Sequence, residues 1–199
     1  MAPAPNGIPA DSLSAYLLLP GDEVQVRSKP DQERVLRCTS CISDKQLKFA
    51  DYLKKGIVGA RDITIIAVNI CRLSDFDIDG CGISQFPLAM EALFPIGCIA
   101  VPITREGKQV GPAVNVPRPT LEKATGTKIS TANFLDPEFT NVSAVVQAHQ
   151  KDMHEKELVL ALIHNPLANN KLNGTFLRAR REYVATERDD TFFIENIAT

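Results

Sequence analysis

Three aspartates, Asp75, Asp77 and Asp79, alternate along six residues that end at Gly80. They follow the apolar stretch 63–70 after the short link 71–74. Carboxylates this close repel one another unless they are solvated, hydrogen-bonded or shared by a cation. Their alternation places all three on one side of an extended segment, where they can converge on one point. Because hard cations bind oxygen ligands, this pattern predicts a site for Mg²⁺ or Ca²⁺.

The acidic segment begins like an EF-hand calcium loop, but the match does not continue. An EF-hand needs a bidentate glutamate at the twelfth position, which here is Phe86, and the eighth position is Gly82. A partial cage of carboxylates and water is therefore the expected form of the site. The alternative is a solvated acidic turn whose carboxylates pair with Arg72 or cap the helix that is predicted after Gln85.

Positively charged and polar residues indicate a second kind of site, for phosphate or another ligand. Arg72 lies shortly before Asp75, and Lys45 and Lys48 lie on a predicted helix. We expect these side chains to contact phosphates, since such contacts are local and do not depend on the net charge of the protein. His164 and Asn165 end a predicted strand just before a proline. There the ring nitrogen and the amide can meet a ligand or cap the loop.

The cysteines leave a third possibility open. Cys38 and Cys41 form a CxxC pair, but a structural zinc site needs a second pair. The five cysteines are irregularly spaced, which predicts free thiols. A cysteine nucleophile that uses His149 or His164 as its base would make the protein a hydrolase. The chain has no nucleophile elbow and no glycine-rich phosphate loop.

Composition limits the classes of protein to which the chain can belong. With 199 residues, 44% of them hydrophobic and 23% charged, it has the composition of a soluble globular protein. A net charge of -2 gives no global attraction to nucleic acid or to an anionic membrane. No apolar run reaches the roughly 18–20 residues that span a bilayer, and the N-terminus does not resemble a signal peptide. We therefore predict a cytoplasmic protein without membrane contact.

The order of apolar and polar segments predicts an α/β or α+β domain. Its mixed sheet would have about five to seven strands, with two or three short helices. Residues 1–31 are expected to be peripheral, and 32–199 to form one domain. Stretch 63–70 is apolar on both faces, which predicts a central strand, and the proline-rich segment 111–138 is expected to be irregular. The remaining expectations are strands at 33–39 and 97–104, hairpins at 142–149/157–164 and 183–186/191–194, and helices at 43–55 and 85–94.

Several segments together resemble the C-terminal half of a poorly characterised group of bacterial proteins. The similarity covers roughly residues 35–185, and its most specific part is the strand that ends in His-Asn-Pro-x-Ala. Longer members of that group carry an upstream segment that looks like the restriction-endonuclease, PD-(D/E)xK, fold. The resemblance implies a nuclease-related protein whose nuclease-type acidic residues lie in a segment missing here. The segments are Thr39–Ser40, Lys45, Tyr52–Ile57, Ile65–Asn69, Val142–Val146, Ile163–Ala168 and Leu172.

These observations support three functional hypotheses. The first is a nuclease-related domain in which the acidic segment holds Mg²⁺ and the cationic residues contact nucleic acid. The second is a non-catalytic interaction or oligomerisation module, in which segment 111–138 wraps a protein partner or a second copy. The third is the cysteine-dependent hydrolase.

Overall fold

A computed structural model describes residues 31–71, 73, 80–149, 159–173, 177, 179–188 and 191–198, with two short backbone pairs nearer the N-terminus. Two α-helices and eleven strands occur in this part of the chain, together with 3₁₀ turns at Asn133–Leu135 and Pro137–Phe139. The helices are Asp31–Lys54 (α1) and Leu88–Leu93 (α2). The strands are Leu17–Leu18 (β1), Val24–Gln25 (β2), Ile65–Asn69 (β3), Ile96–Ala100 (β4), Val114–Pro117 (β5), Thr120–Glu122 (β6), Lys128–Ser130 (β7), Ala144–His149 (β8), Val159–His164 (β9), Arg181–Arg188 (β10) and Thr191–Asn196 (β11).

The main sheet has five strands in the order β11-β10-β9-β8-β3, which confirms the predicted mixed sheet within an α+β fold. Neighbouring strands are parallel in the pairs β3–β8 and β9–β10 and antiparallel in the pairs β8–β9 and β10–β11. Both predicted hairpins, β8–β9 and β10–β11, are therefore confirmed. Three further two-stranded pairs, β1–β2, β4–β5 and β6–β7, lie outside this sheet.

Helix α1 replaces the strand that was predicted at 33–39. Residues Val35, Cys38, Ile42 and Gln46 are buried at helical spacing, so one stripe of the helix faces the core. Asp31 in the first turn has the charge that favours a helix N-terminus, and the last turn carries a lysine. The predicted helix at 43–55 is the second half of this longer element. The local strand-like pattern is overridden because buried residues recur at helical spacing from Arg34 to Gln46.

Strand β3 occupies an edge of the described sheet, so the prediction of a central strand was wrong. Ile66 and Val68 are buried, whereas the intervening Ala67 and the last residue, Asn69, are exposed. Helix α1 covers the face that carries Ile66 and Val68, whereas on the other face only Ile65 is partly buried, against the smaller cluster of Ala144 and Leu162. Its apolar composition reflects strand propensity as well as burial.

The core lies mainly on the face of the sheet that carries α1 and α2. It includes Phe94 and Phe134, whose rings meet edge to face with centroids 5.8 Å apart. A smaller cluster on the opposite face contains Ala144, Leu162 and Leu172. The loop after β9 reaches this second face through Leu172, and the path of that loop shapes the cleft described below.

Segment 111–138 is ordered into β5, the β6–β7 hairpin and part of the 3₁₀ turns, so its predicted irregularity was wrong. Strand β5 pairs with β4, and Arg118 N after it bonds to Pro95 O at 2.9 Å. The prolines stand at the ends of these short strands and at a 3₁₀ turn, where no ladder donor is needed. No helix in the described part of the chain has both the length and the hydrophobicity that a bilayer crossing requires.

Candidate functional site: a cleft at the end of strand β9

The predicted metal ligands Asp75, Asp77 and Asp79 lie outside the described residues, as does Arg72. The structure does describe the two ends of the acidic segment. At one end Ile70 N donates to Ala148 O at 3.0 Å, which ties the end of β3 to β8. Within the described ranges, no three His, Cys, Asp or Glu side chains are close enough to hold a metal ion. The metal site therefore stays a prediction.

The other end of the acidic segment, Gly80, is fixed by a buried amide. Gln147 Nε2 donates to Gly80 O at 2.8 Å, and Gln147 Oε1 accepts from Ala89 N at 2.7 Å. Gly80 has a φ of 65°, and a Cβ there would lie 3.0 Å from Gln147 Nε2. Glycine is therefore needed at this position for its backbone conformation and for the close approach.

Lys45 and Lys48 lie on the outer side of α1. With Arg37 and Ser40 they line a shallow surface groove. Helical spacing brings these cationic side chains to one exposed face, as the phosphate-contact hypothesis requires. No described contact of these two lysines identifies a ligand, so their predicted role remains a prediction.

The CxxC pair lies within α1 and is not at its N-terminus. Cys38 is buried and Cys41 is exposed. Burial, with smaller contributions from the nearby Cys41 and Glu91, raises the pKa of the Cys38 thiol to about 12. A thiol with such a pKa is a poor nucleophile at neutral pH. Cys38 therefore acts as a small buried side chain of the core.

A partly enclosed polar cleft follows from a mismatch in strand length. Strands β9 and β10 pair only over Arg181–Tyr183, opposite Ala161–Ile163. Strand β9 ends at His164, whereas β10 continues to Arg188. Because the chain turns away after β9, a cleft of about 600 Å³ opens between the following loop and β10.

A hydrogen-bonded pair of side chains, His164 and Glu182, lines this cleft. Nε2 of His164 lies 2.7 Å from Oε1 of Glu182, and the side chains are only 14% and 7% exposed. The strand register places Glu182 beside Leu162. Leu162 and His164 are two residues apart on β9, so their side chains and that of Glu182 lie on the same face of the sheet. Glu182 thus fixes the orientation of the imidazole ring, as a carboxylate partner commonly does.

Asn165 shapes the cleft through contacts within the chain. Its Nδ2 donates to Phe139 O at 3.0 Å and to Val142 O at 2.8 Å. Its Oδ1 accepts from Leu167 N at 2.9 Å. Of the two roles predicted for Asn165, the structure therefore places it in the loop-capping one. His164 is the predicted ligand residue that faces the cavity.

Apolar and charged side chains complete the walls of the cleft. Lys171 is exposed on the loop side, and Glu187 is exposed on β10. Within the described ranges Lys171 forms no ion pair with another side chain. The apolar part of the lining comes mainly from Leu167, Leu172, Val184, Phe192 and Ile197.

Sequence reasoning missed Glu182 and Lys171. The predicted strand began at residue 183, so Glu182 was not recognised as a carboxylate at a buried strand position. The sequence did carry a signal for Glu182, since this acidic residue directly precedes an apolar stretch. The strand begins one residue earlier still, at Arg181. The pairing with His164 depends on strand register, which a single sequence does not contain.

The cysteine-dependent hydrolase finds no support at His164. None of the described residues that line its cleft is a cysteine. Cys81 lies elsewhere, and its sulfur accepts a hydrogen bond from Arg181 Nη1 at 2.9 Å. The hydrolase hypothesis stays a prediction.

A second buried charge, Glu91, belongs to a structural network away from the cleft. Its carboxylate accepts from Ser84 N at 2.8 Å and Ser84 Oγ at 2.5 Å, and from Arg118 Nη2 at 2.7 Å. The other arm of Arg118 contacts Asp31 Oδ2 at 2.6 Å. Burial raises the pKa of Glu91 and the Asp31 carboxylate adds to the rise, whereas the Ser84 hydrogen bonds and Arg118 lower it. One guanidinium thus joins α1, α2 and the segment after β5.

No protein-family model, curated protein or solved structure matches this chain. The resemblance to bacterial nuclease-related proteins therefore remains a prediction from the sequence.

Proposed function

We propose that this chain is a binding module whose ligand occupies the cleft between the loop after β9 and strand β10. The observation that carries the proposal is the buried His164–Glu182 pair in the wall of a cavity of about 600 Å³. Pockets that bind small molecules or peptide segments have volumes of roughly 300–1,000 Å³. They combine apolar walls with a few polar groups in fixed positions.

The lining of the cleft matches this description. Leu172 and Phe192 supply apolar surface, whereas His164 and Lys171 supply polar groups that can orient a ligand. The His164 ring is held by a short contact to a carboxylate that is itself nearly buried. Such preorganisation favours binding because little side-chain freedom is lost when a ligand arrives.

A titration with small probes tests the proposal. We expect acetate or N-methylacetamide to shift the backbone amide resonances of His164, Leu172 and Val184 in ¹⁵N-labelled protein. Substituting Glu182→Gln removes the charge that orients the imidazole, so the shifts should weaken by about threefold or more. The measurement is the apparent Kd of each probe, obtained from the shift changes.

The matched control is His149→Gln, which alters a histidine that ends the neighbouring strand β8 and does not line the cleft. This variant should retain the probe affinities of the unmodified protein. Probe-induced shifts that are spread over the whole surface, or that are confined to the groove on α1, would contradict the proposal.

A nuclease-related function with a metal at Asp75, Asp77 and Asp79 is the second candidate. The observation that favours it is the anchoring of the acidic segment. Ile70 and Gly80 are both held next to the carboxyl end of β8, which is parallel to β3. Ligand sites in sheets with parallel strands often lie at such ends. Lys45 and Lys48 on α1 would supply local phosphate contacts to nucleic acid.

A thermal-shift titration with Mg²⁺, Mn²⁺ and Ca²⁺ tests this second candidate. A cation that binds only the folded state stabilises it by about 2.7 kcal/mol at 100 times its Kd. We expect the rise in Tm to disappear in Asp77→Ala and to persist in Asp44→Ala, which removes an aspartate on α1. An equal rise in Tm in both variants would place the cation elsewhere, and no rise with any ion would remove the metal site.

A further inference from the structure

The upper half of β10 has an open edge inside the cleft. Beyond Tyr183, residues 184–188 of β10 have β11 on one side. On the other side, no strand of the described part of the chain pairs with them. An unpaired edge presents a row of backbone donors and acceptors that can pair with an added strand.

The backbone groups that face this gap can be identified from the neighbouring hydrogen bonds. Glu182 O accepts from Ile197 N at 2.7 Å, and Glu182 N donates to Asn196 Oδ1 at 3.1 Å. The backbone groups of Glu182 therefore point towards β11. Because these directions alternate along a strand, those of Ala185 and Glu187 point into the cleft. Both residues belong to its lining.

The gap is closed at its inner end by the chain itself. Strand β9 fills the row next to β10 as far as His164, which lies beside Val184 in the parallel register. A chain that pairs with Ala185 and Glu187 cannot continue inwards past this point. The inner end of the gap therefore suits the terminus of a bound chain better than its middle.

The Lys171 cation near the inner end favours a terminal carboxylate. His164 lies there, and the loop that carries Lys171 passes close by, because Leu172 packs in the same cluster as Ala144 and Leu162. The Glu182 carboxylate is already bonded to His164, whereas Lys171 forms no ion pair among the described residues. At the outer end, Glu187 carries the opposite charge. A carboxylate near Lys171 and a basic residue near Glu187 would complement this arrangement.

The geometry points to the carboxyl-terminal end of a polypeptide as the ligand of the cleft, and this inference rests on the proposed binding function. The peptide pairs with Ala185 and Glu187 as an added strand. Its carboxylate lies towards His164 and Lys171, so it runs antiparallel to β10. Peptide recognition by strand addition draws affinity from main-chain hydrogen bonds and specificity from the side-chain pockets. Leu172, Phe192 and Val184 supply the apolar surface for such pockets.

The test uses a library of fluorescent five-residue peptides with free carboxyl ends and the same library with amidated ends. We expect the free-acid peptides to bind more tightly by about tenfold or more, the effect of one charge-assisted hydrogen bond. Lys171→Gln should remove this preference, whereas Lys123→Gln, an exposed lysine on the turn after β6, should keep it. Fluorescence anisotropy gives each Kd.

Methylation of peptide nitrogens tests the strand geometry without altering the protein. In an added strand only alternate N–H groups face β10. Methylating one alternate set should weaken binding about tenfold or more, and methylating the other set should have little effect.

Equal affinity of acid and amide peptides, or equal sensitivity at every nitrogen, would overturn the inference. If the small probes bind in the cleft but no peptide does, the inference fails and the binding function stands. If neither probes nor peptides bind there, both fail.

Discussion

Replacing Arg118 with methionine should lower the free energy of unfolding by about 3–5 kcal/mol. Arg118 bonds to Glu91 at 2.7 Å and to Asp31 at 2.6 Å, and the Glu91 side chain is fully buried. Methionine keeps much of the length of the side chain but leaves two carboxylates without their cation. Removing one partner of a buried ion pair is strongly destabilising because the other charge stays desolvated. Urea unfolding followed by circular dichroism measures the loss, since the chain contains no tryptophan.

The deficit of Arg118→Met should also depend on pH. Burial raises the pKa of Glu91 from its ordinary value, with the Asp31 carboxylate adding to the rise, whereas Ser84 and Arg118 oppose it. The stability linked to Glu91 is therefore fully present below its unfolded-state pKa and falls as the pH rises through its folded-state pKa. Without Arg118 the pKa rises further, so the variant should be closest to the unmodified protein at low pH. Unfolding at about pH 5 and about pH 8 gives the comparison.

A control separates this network from the general effect of removing an arginine. Arg105 is exposed on the turn after β4, so Arg105→Met should change stability by no more than about 0.5 kcal/mol at either pH. An Arg118→Met deficit of the same small size would show that the Asp31–Arg118–Glu91 contacts contribute little. A deficit that shrinks with rising pH would contradict the role given to Glu91.

Gly82→Ala is expected to destabilise the same network by about 2–4 kcal/mol, although it removes no charge. A Cβ at this position would lie 2.0 Å from Glu91 Oε1 and 2.7 Å from Oε2. The buried carboxylate would have to move, and it would then lose its short contacts to Ser84 and Arg118. Urea unfolding measures this loss as well.

Gly59→Ala is the matched control, because its added Cβ would also meet a carboxylate, at 3.3 Å from the exposed Asp62. That carboxylate accepts a hydrogen bond from Gly59 N at 2.8 Å, but water can replace this exposed contact, so the change should be no more than about 1 kcal/mol. Combining Gly82→Ala with Arg118→Met should give less than the sum of the single effects, since both disrupt Glu91. Strict additivity would mean that Gly82→Ala acts through some other contact.

The sequence predicted the parts of the fold that depend on local pattern. The hairpins β8–β9 and β10–β11 follow from apolar runs separated by short polar links, and both are confirmed. The prediction was wrong where tertiary contacts decide. Residues 33–39 have a strand-like pattern but join a helix whose buried stripe runs on to Gln46. Strand β3 has the composition of a central strand and lies at an edge because nothing described pairs with its outer side.

The candidate site shows the same division between local and long-range information. His164 could be singled out because it ends an apolar strand next to a proline. Glu182 could not, because its contact with His164 depends on how β10 is registered against β9. The cleft itself forms because β10 continues beyond the residues that pair with β9. This difference in length between two strands cannot be read from either segment alone. Asp75, Asp77 and Asp79 lie outside the described residues, so their metal site rests on the sequence pattern alone.

The Arg118 network also has a consequence for the order of folding events. Its two ion pairs close loops with sequence separations of 87 and 27 residues. Because loop closure over such distances must precede any gain from the contacts, we expect them to form after local elements such as α1 and the β8–β9 hairpin. Interactions that are made late stabilise the native state more than the transition state, and they act mainly by slowing unfolding. The Arg118 guanidinium, which joins three distant segments, should therefore slow unfolding more than it speeds folding, and so prolong the lifetime of the folded chain.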